Sequence, residues 1–179
     1  MGDRHLLHAL STVLFAARAF HEPDNSCTVW YMITDCAIEI DAPADVVWEV
    51  FSDVERWPEW TASVTRLIAL DDAELAVGRR FELKQPRMPK LVWVVTELRP
   101  GSGWSWEQRS PGGVTVARHD VVPISDGRTK VRQQIDQRGP VGVAVGVLMH
   151  RMTKRYLDLE AAGLKARSEQ LHRLDGPAS

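Results

Sequence analysis

Gly139-Pro140-Val141-Gly142-Val143-Ala144-Val145-Gly146-Val147-Leu148-Met149-His150-Arg151-Met152-Thr153-Lys154-Arg155-Tyr156-Leu157-Asp158-Leu159 decides the fold. Val141, Val145, Leu148, Met149, Met152, Tyr156 and Leu159 recur at spacings of three and four, which predicts one long amphipathic helix with that face inward. Proline at a first helical turn sacrifices no intrahelical hydrogen bond. The pattern continues toward Leu174. Gly163 weakens it by about 1 kcal/mol relative to alanine.

Upstream of that helix the period changes from 3.6 to two. Val64–Leu70, Phe81–Gln85, Leu91–Leu98, Trp104–Ser110, Val114–Val122 and Val131–Gln137 read as six strands. Turns at Asp71-Asp72, Pro100-Gly101-Ser102-Gly103, Pro111-Gly112-Gly113 and Asp126-Gly127 separate them. Asp126-Gly127 is the strongest hairpin signal, because both positions tolerate positive φ. Short turns between consecutive strands require antiparallel neighbours. Ile38-Glu39-Ile40 is an earlier strand. A short helix with Pro43 in its first turn carries Val46, Val47, Val50 and Phe51 and stops at Ser52-Asp53. Ser52 and Glu55 have capping-box spacing and open a second short helix. Trp57-Pro58-Glu59-Trp60 makes an aromatic corner.

The predicted fold is therefore α+β, a helix-grip arrangement. A curved, seven-stranded antiparallel sheet wraps one long C-terminal helix, with two short helices after the first strand. A helix about 10 Å wide cannot fill the concavity of such a sheet. Ligand pockets begin near roughly 300 Å³. Left void and apolar, that volume costs about 7 kcal/mol at 24 cal/mol per Å³, comparable to a domain's stability of roughly 5–15 kcal/mol. Side chains, water with polar partners, or a hydrophobic small molecule must occupy it.

The stretch Ile38-Glu39-Ile40-Asp41-Ala42-Pro43-Ala44-Asp45-Val46-Val47-Trp48, with Asp53-Val54-Glu55-Arg56-Trp57-Pro58-Glu59-Trp60, resembles the opening of the polyketide cyclase/dehydrase and START-like superfamily. Val77-Gly78-Arg79-Arg80-Phe81 and Thr96-Glu97-Leu98-Arg99-Pro100-Gly101 resemble its third- and fourth-strand signatures. The resemblance covers Thr34 to Arg167. It implies the helix-grip fold and an internal cavity. It does not choose among lipid carriers, hormone receptors, aromatase/cyclases and cochaperone domains. The aromatase/cyclases use a cavity arginine and hydroxyls. Arg118 is the one strand arginine able to point inward, and its phase conflicts with that of His119.

Length and composition agree with one domain. The 179 residues are 44% hydrophobic with a net charge of -2, so neither disorder nor a nucleic-acid partner is expected. Cys27 and Cys36 are too few for a disulfide framework, and reduced thiols in a cytoplasmic setting are expected. Residues 1–31 form an N-terminal extension, 32–170 the ligand-binding domain and 171–179 a tail. Leu6–Phe20 imitates a signal peptide, but His8, Ser11, Thr12 and Arg18 interrupt it. It reads as a loosely attached amphipathic helix or as sequence upstream of the true start, with Met32 just before the first strand.

Trp60, Phe81, Gln85, Trp104, Trp106, His119, Gln133, Met152 and Tyr156 are the expected ligand-binding residues. Trp104 and Trp106 share one strand face and offer either a flat aromatic wall or ordinary core. Gln85 and Gln133 fall in phase with apolar neighbours, where a buried amide must find hydrogen bonds. His119 is a weak candidate acid/base, since a lone histidine is more often a satisfied core residue. Trp93 and Val95 face outward if Val92, Val94, Thr96 and Leu98 face inward, which would leave an aromatic patch for a homodimer contact or for cover by the N-terminal segment; a one-residue slip reverses this. Gly142-x-x-x-Gly146 marks close packing or a mobile portal. Arg151, Lys154 and Arg155 read first as a solvated face and second as a transient membrane contact.

No nucleophile elbow, P-loop, dinucleotide fingerprint or zinc-protease motif occurs. No metal-ligand set assembles, so neither metal nor cofactor is expected. The sequence thus favours a carrier or binder of a lipid-, isoprenoid- or aromatic-polyketide-like molecule. The alternative is a cyclase/dehydrase-type enzyme acting on a ketone, with His119 and Tyr156 or Gln133 as acid/base.

Overall fold

The computed structural model describes residues 31–71 and 74–175. Strand β1 (Tyr31–Ile40) leads into α1 (Ala44–Ser52), a 3-10 turn at Val54–Arg56 and α2 (Trp57–Trp60). Six strands follow: β2 (Arg66–Ala69), β3 (Arg80–Lys84), β4 (Lys90–Arg99), β5 (Gly103–Ser110), β6 (Gly113–Ser125) and β7 (Arg128–Arg138). Helix α3 (Gly139–Asp175) closes the chain and runs past residue 170. The strands form a single antiparallel sheet in the order β1-β7-β6-β5-β4-β3-β2. This is the predicted helix-grip fold.

Several local expectations change. Tyr31 already pairs with Arg138, so β1 starts well before the expected Ile38. Ser52 does not cap the second short helix; Asp53 precedes it, and Glu55 accepts instead from the Ala69 amide at 3.1 Å. Asp126-Gly127 does form the two-residue β6–β7 turn, but positive φ occurs at Gly101 and Gly112 rather than at Gly127. Cys27 and Leu6–Phe20 lie outside the described residues.

The larger correction concerns the phase of α3. Leu148 is 82% exposed, and Val141 and Val145 are exposed too. Gly142 and Gly146 are the buried residues of that half. A Cβ on Gly113, at the start of β6, would come within 2.6 Å of the Gly142 nitrogen. The helix therefore meets the sheet through its glycines and Leu148 turns away, while Val145, Met149, Met152 and Tyr156 of the expected face border the concave side of the sheet. Helical positions advance by about 100° per residue, so the buried stripe becomes Gly142, Gly146, Leu157, Glu160, Ala161, Leu164 and Ser168. Of the two readings of the glycine pair, close packing holds. Gly163 also has a reason to be glycine: a Cβ there would sit 2.1 Å from the Trp60 carbonyl oxygen.

Helix α3 lies along β1. Thr34 Oγ1 and His150 Nδ1 are 3.2 Å apart, Lys165 Nζ donates to the Glu39 carbonyl at 2.8 Å, and Glu169 accepts from the Asp41 amide at 3.0 Å. Helices α1 and α2 plug one end. Phe51 and Trp57 stack with centroids 5.5 Å apart, and Trp57 Nε1 donates to the Phe51 carbonyl at 3.0 Å. The core sits between these helices, α3 and the concave sheet face.

Candidate functional site

A cavity of about 280 Å³ lies between α3 and the concave faces of β3 to β7. Its lining grades in burial. Pro89, Ser110 and Val145 at one end are exposed; Trp57, Trp93, Trp106, His119, Gln133, Leu157 and Glu160 at the other are buried. Exposure falls from mouth to interior, so the second group forms the inner end.

The aromatic wall follows from strand register. Phe81 opposes Trp93, Val95 opposes Trp106, and Trp106 opposes Ala117. Directly opposed residues share a sheet face, so these side chains all point inward. Trp93 is thus buried at 6% exposure, and Val92 is the exposed neighbour. This settles the open phase of β4 against an aromatic patch on the convex face, and the reason offered for a homodimer contact goes with it. Trp93 and Trp106 lie 5.4 Å apart, and Trp106 and Trp57 lie 5.8 Å apart.

Gln85, Trp106, His119, Gln133, Met152 and Tyr156 line the cavity. Trp104, Phe81 and Trp60 do not. Trp104 is fully buried behind the wall, stacked on His119 at 4.3 Å; Phe81 packs behind Trp106 at 6.2 Å; Trp60 packs on Trp57 at 5.5 Å. The Tyr156 hydroxyl donates to the Pro86 carbonyl, tying the β3–β4 loop to α3. Lys84 Nζ donates to the Met88 carbonyl in the same loop.

His119 is enclosed by aromatic rings, and burial pushes its pKa down to about 3. It is neutral at physiological pH and a poor base. Arg118 alternates with His119 along β6 yet also borders the cavity, bonding Gln134 at 3.4 Å and lying 3.5 Å from Asp136.

Glu160 is the residue that the sequence reading missed. It is 6% exposed, and its carboxyl accepts from Ser63 Oγ at 2.8 Å and from Gln133 Nε2 at 3.2 Å. Burial raises its pKa to about 7; the two hydrogen bonds oppose that rise. Gln133 stands opposite His119 in register, so imidazole, amide and carboxyl adjoin one another. His119 Nδ1 and Gln133 Oε1 have no hydrogen-bond partner among the described residues. The signal was present: Glu160 lies four residues beyond Tyr156, one turn along a face already read as inward. Among the described residues no three His, Cys, Asp or Glu side chains group as metal ligands. No described helix is long and apolar enough to cross a membrane.

A helix-grip fold enclosing an aromatic cavity with a small polar inner end defines a small-molecule-binding class. The chain belongs to the polyketide cyclase / dehydrase and lipid transport family, whose model matches residues 34–169. Among solved structures it is similar to the Zhui aromatase/cyclase from Streptomyces sp. R1128, at 15% identity and a TM-score of 0.66, covering 82% of this chain and 99% of that one. It is similar also to a START superfamily protein from Mycobacterium smegmatis, at 18% identity and a TM-score of 0.63, covering 78% of this chain and 98% of that one. Norcoclaurine synthase from Thalictrum flavum aligns at 14% identity with a TM-score of 0.63, over 82% of this chain and 97% of that one. These likenesses establish the fold. No curated protein matches the chain in sequence.

Proposed function

We propose that this protein binds a hydrophobic small molecule in its internal cavity, as a carrier or receptor. The observation that carries this reading is a cavity of about 280 Å³ whose wall includes Trp57, Trp93, Trp106, Leu83, Met149 and Met152. Its volume is close to the roughly 300 Å³ at which ligand pockets begin. Native mass spectrometry of gently purified protein tests it. A co-purified apolar molecule is expected, together with a rise in melting temperature on adding it back. If a panel of fatty acyl, isoprenoid and aromatic compounds leaves the melting temperature unmoved, the reading fails.

Glu160 favours a second reading, cyclase/dehydrase-type chemistry on a ketone. A carboxyl with a pKa near 7 is suited to both giving and taking a proton at neutral pH. His119, the acid/base first expected, is too weakly basic to share that role. Turnover of a poly-ketone that Glu160→Gln abolishes, with binding retained, would establish it; unchanged turnover would remove it.

A further inference from the structure

Among the described residues the carboxyl of Glu160 has two neutral donors and no cationic partner. Burial disfavours its charge, and no charged neighbour contributes to its shift. The other ionisable groups lining the cavity are Arg118, His119 and Tyr156. Arg118 pairs with Asp136, His119 stays neutral, and the Tyr156 hydroxyl is held by Pro86. Asp35 and Cys36 of β1 face Lys154 and Asp158 instead. Asp45 and Glu49 of α1 and Glu59 of α2 are exposed. Buried charges are normally paired. Nothing among the described residues pairs this one.

The adjoining surface is aromatic. Trp57 and Trp106 incline at 59° with centroids 5.8 Å apart, and each lies within 6 Å of the His119 ring, at 5.7 Å and 5.6 Å. Indole faces attract cations through their quadrupole. Among the described residues Gln133 Oε1 is a buried acceptor without a donor, beside Glu160, and Trp93 Nε1 elsewhere in the lining is a buried donor without an acceptor. Acceptors, an uncompensated carboxyl and indole faces together ask for a positively charged donor on an apolar body.

We propose that the inner end of the cavity recognises the ammonium group of an apolar amine. Glu160 supplies the counter-charge, Gln133 Oε1 accepts an N–H, and Trp57 and Trp106 face the adjoining carbon skeleton. The proposal deepens the ligand-binding reading and rests on it. A fatty-acid carboxylate would meet the like charge of Glu160 and is selected against.

The test uses the full chain and three probes that share one skeleton: 4-phenylbutylamine, 4-phenylbutan-1-ol and 4-phenylbutanoate. Titration calorimetry at pH 8 is expected to show the amine binding at least tenfold more tightly than the alcohol, with the carboxylate weakest. Glu160→Gln should bring the amine to the level of the alcohol and leave the alcohol unchanged. Lowering the pH from 8 to 5.5 should weaken the amine about tenfold and spare the alcohol. That pH series on the unaltered protein decides the matter even if the variant does not fold. If the alcohol binds and the amine binds no better, or if the pH series is flat, the amine proposal is overturned while the cavity reading stands. If none of the three binds and the broader apolar panel also fails, both fall.

Discussion

Replacing Glu160 by Gln perturbs a buried carboxyl that is partly ionised at neutral pH. In the folded protein its carboxyl titrates at about 7, against 4.5 ordinarily, because burial penalises the charge. Below pH 4.5 both folded and unfolded chains hold the proton, and the group costs nothing. Between pH 4.5 and 7 the unfolded chain releases it while the folded chain keeps it, so stability falls as pH rises. At about 1.4 kcal/mol per pH unit, the full penalty above pH 7 is about 3 kcal/mol.

His119 has the opposite sign. Its folded pKa of about 3 lies below the ordinary 6.5. The unfolded chain therefore takes up a proton that the folded chain does not, and stability is lost as pH falls through 6.5 toward 3. Between pH 4.5 and 6.5 the two effects cancel, and the unaltered protein shows a flat plateau. Glu160→Gln keeps an acceptor for Ser63 Oγ. It also places a donor opposite Gln133, whose amide can rotate to present its unpartnered oxygen. The variant should gain about 3 kcal/mol at pH 8 and little at pH 4. Its stability should rise by about 1.4 kcal/mol per pH unit across the former plateau, where His119 now acts alone. Urea unfolding at five pH values reads this, with a midpoint shift of about 1–2 M at pH 8. Equal destabilisation at pH 4 and pH 8 would refute the reasoning, since the carboxyl would then be a structural acceptor with no burial penalty.

Gly163→Ala places a Cβ 2.1 Å from the Trp60 carbonyl oxygen, a backbone atom that cannot swing aside, and should cost more than about 3 kcal/mol by thermal unfolding; a change under about 1 kcal/mol would show that α3 shifts freely over α2. Trp106→Ala removes the ring bridging Trp57 and Trp93 and should cost about 3–5 kcal/mol while enlarging the cavity, read by calorimetry and by uptake of a bulkier probe. Tyr156→Phe deletes the bond to Pro86, so stability should fall by only about 1 kcal/mol while ligand dissociation, followed by stopped-flow fluorescence, accelerates. Leu148→Ser, at an 82% exposed position, should change stability by less than about 0.5 kcal/mol.

Much of the fold was legible because period two and period 3.6 are local properties of a chain. Phe81, Leu83, Gln133 and Ile135 announce their strand faces without reference to any neighbour. The phase of α3 was not legible in the same way. Hydropathy assigns the contact face to the largest apolar residues, Val141, Val145 and Leu148. Close approach of a helix to a hairpin instead selects the smallest, and Gly142 and Gly146 are buried while Leu148 is not. That preference depends on Gly113, near the far end of the sheet, and nothing local to the helix encodes it. Trp93 was ambiguous for a related reason. Its face is fixed by pairing with Phe81, and a strand alone does not carry its register.

The polar residue of greatest consequence escaped notice for another reason. Glu160 lies one turn beyond Tyr156 on the flank of the inward face, but a hydropathy pattern registers only the apolar residues of such a face. Buried beside Gln133, its carboxyl becomes the most costly ionised group of the cavity. A stability cost of that size, on the residue bonded to Gln133, whose Oε1 lacks a partner among the described residues, is what a binding site organised for an incoming ligand would carry. The Glu160→Gln variant therefore has two readouts of opposite sign. If the site exists for a ligand, the substitution strengthens the fold at pH 8 and weakens recognition. Gain in stability with undiminished ligand affinity would separate the two and leave Glu160 a structural accident of the helix phase.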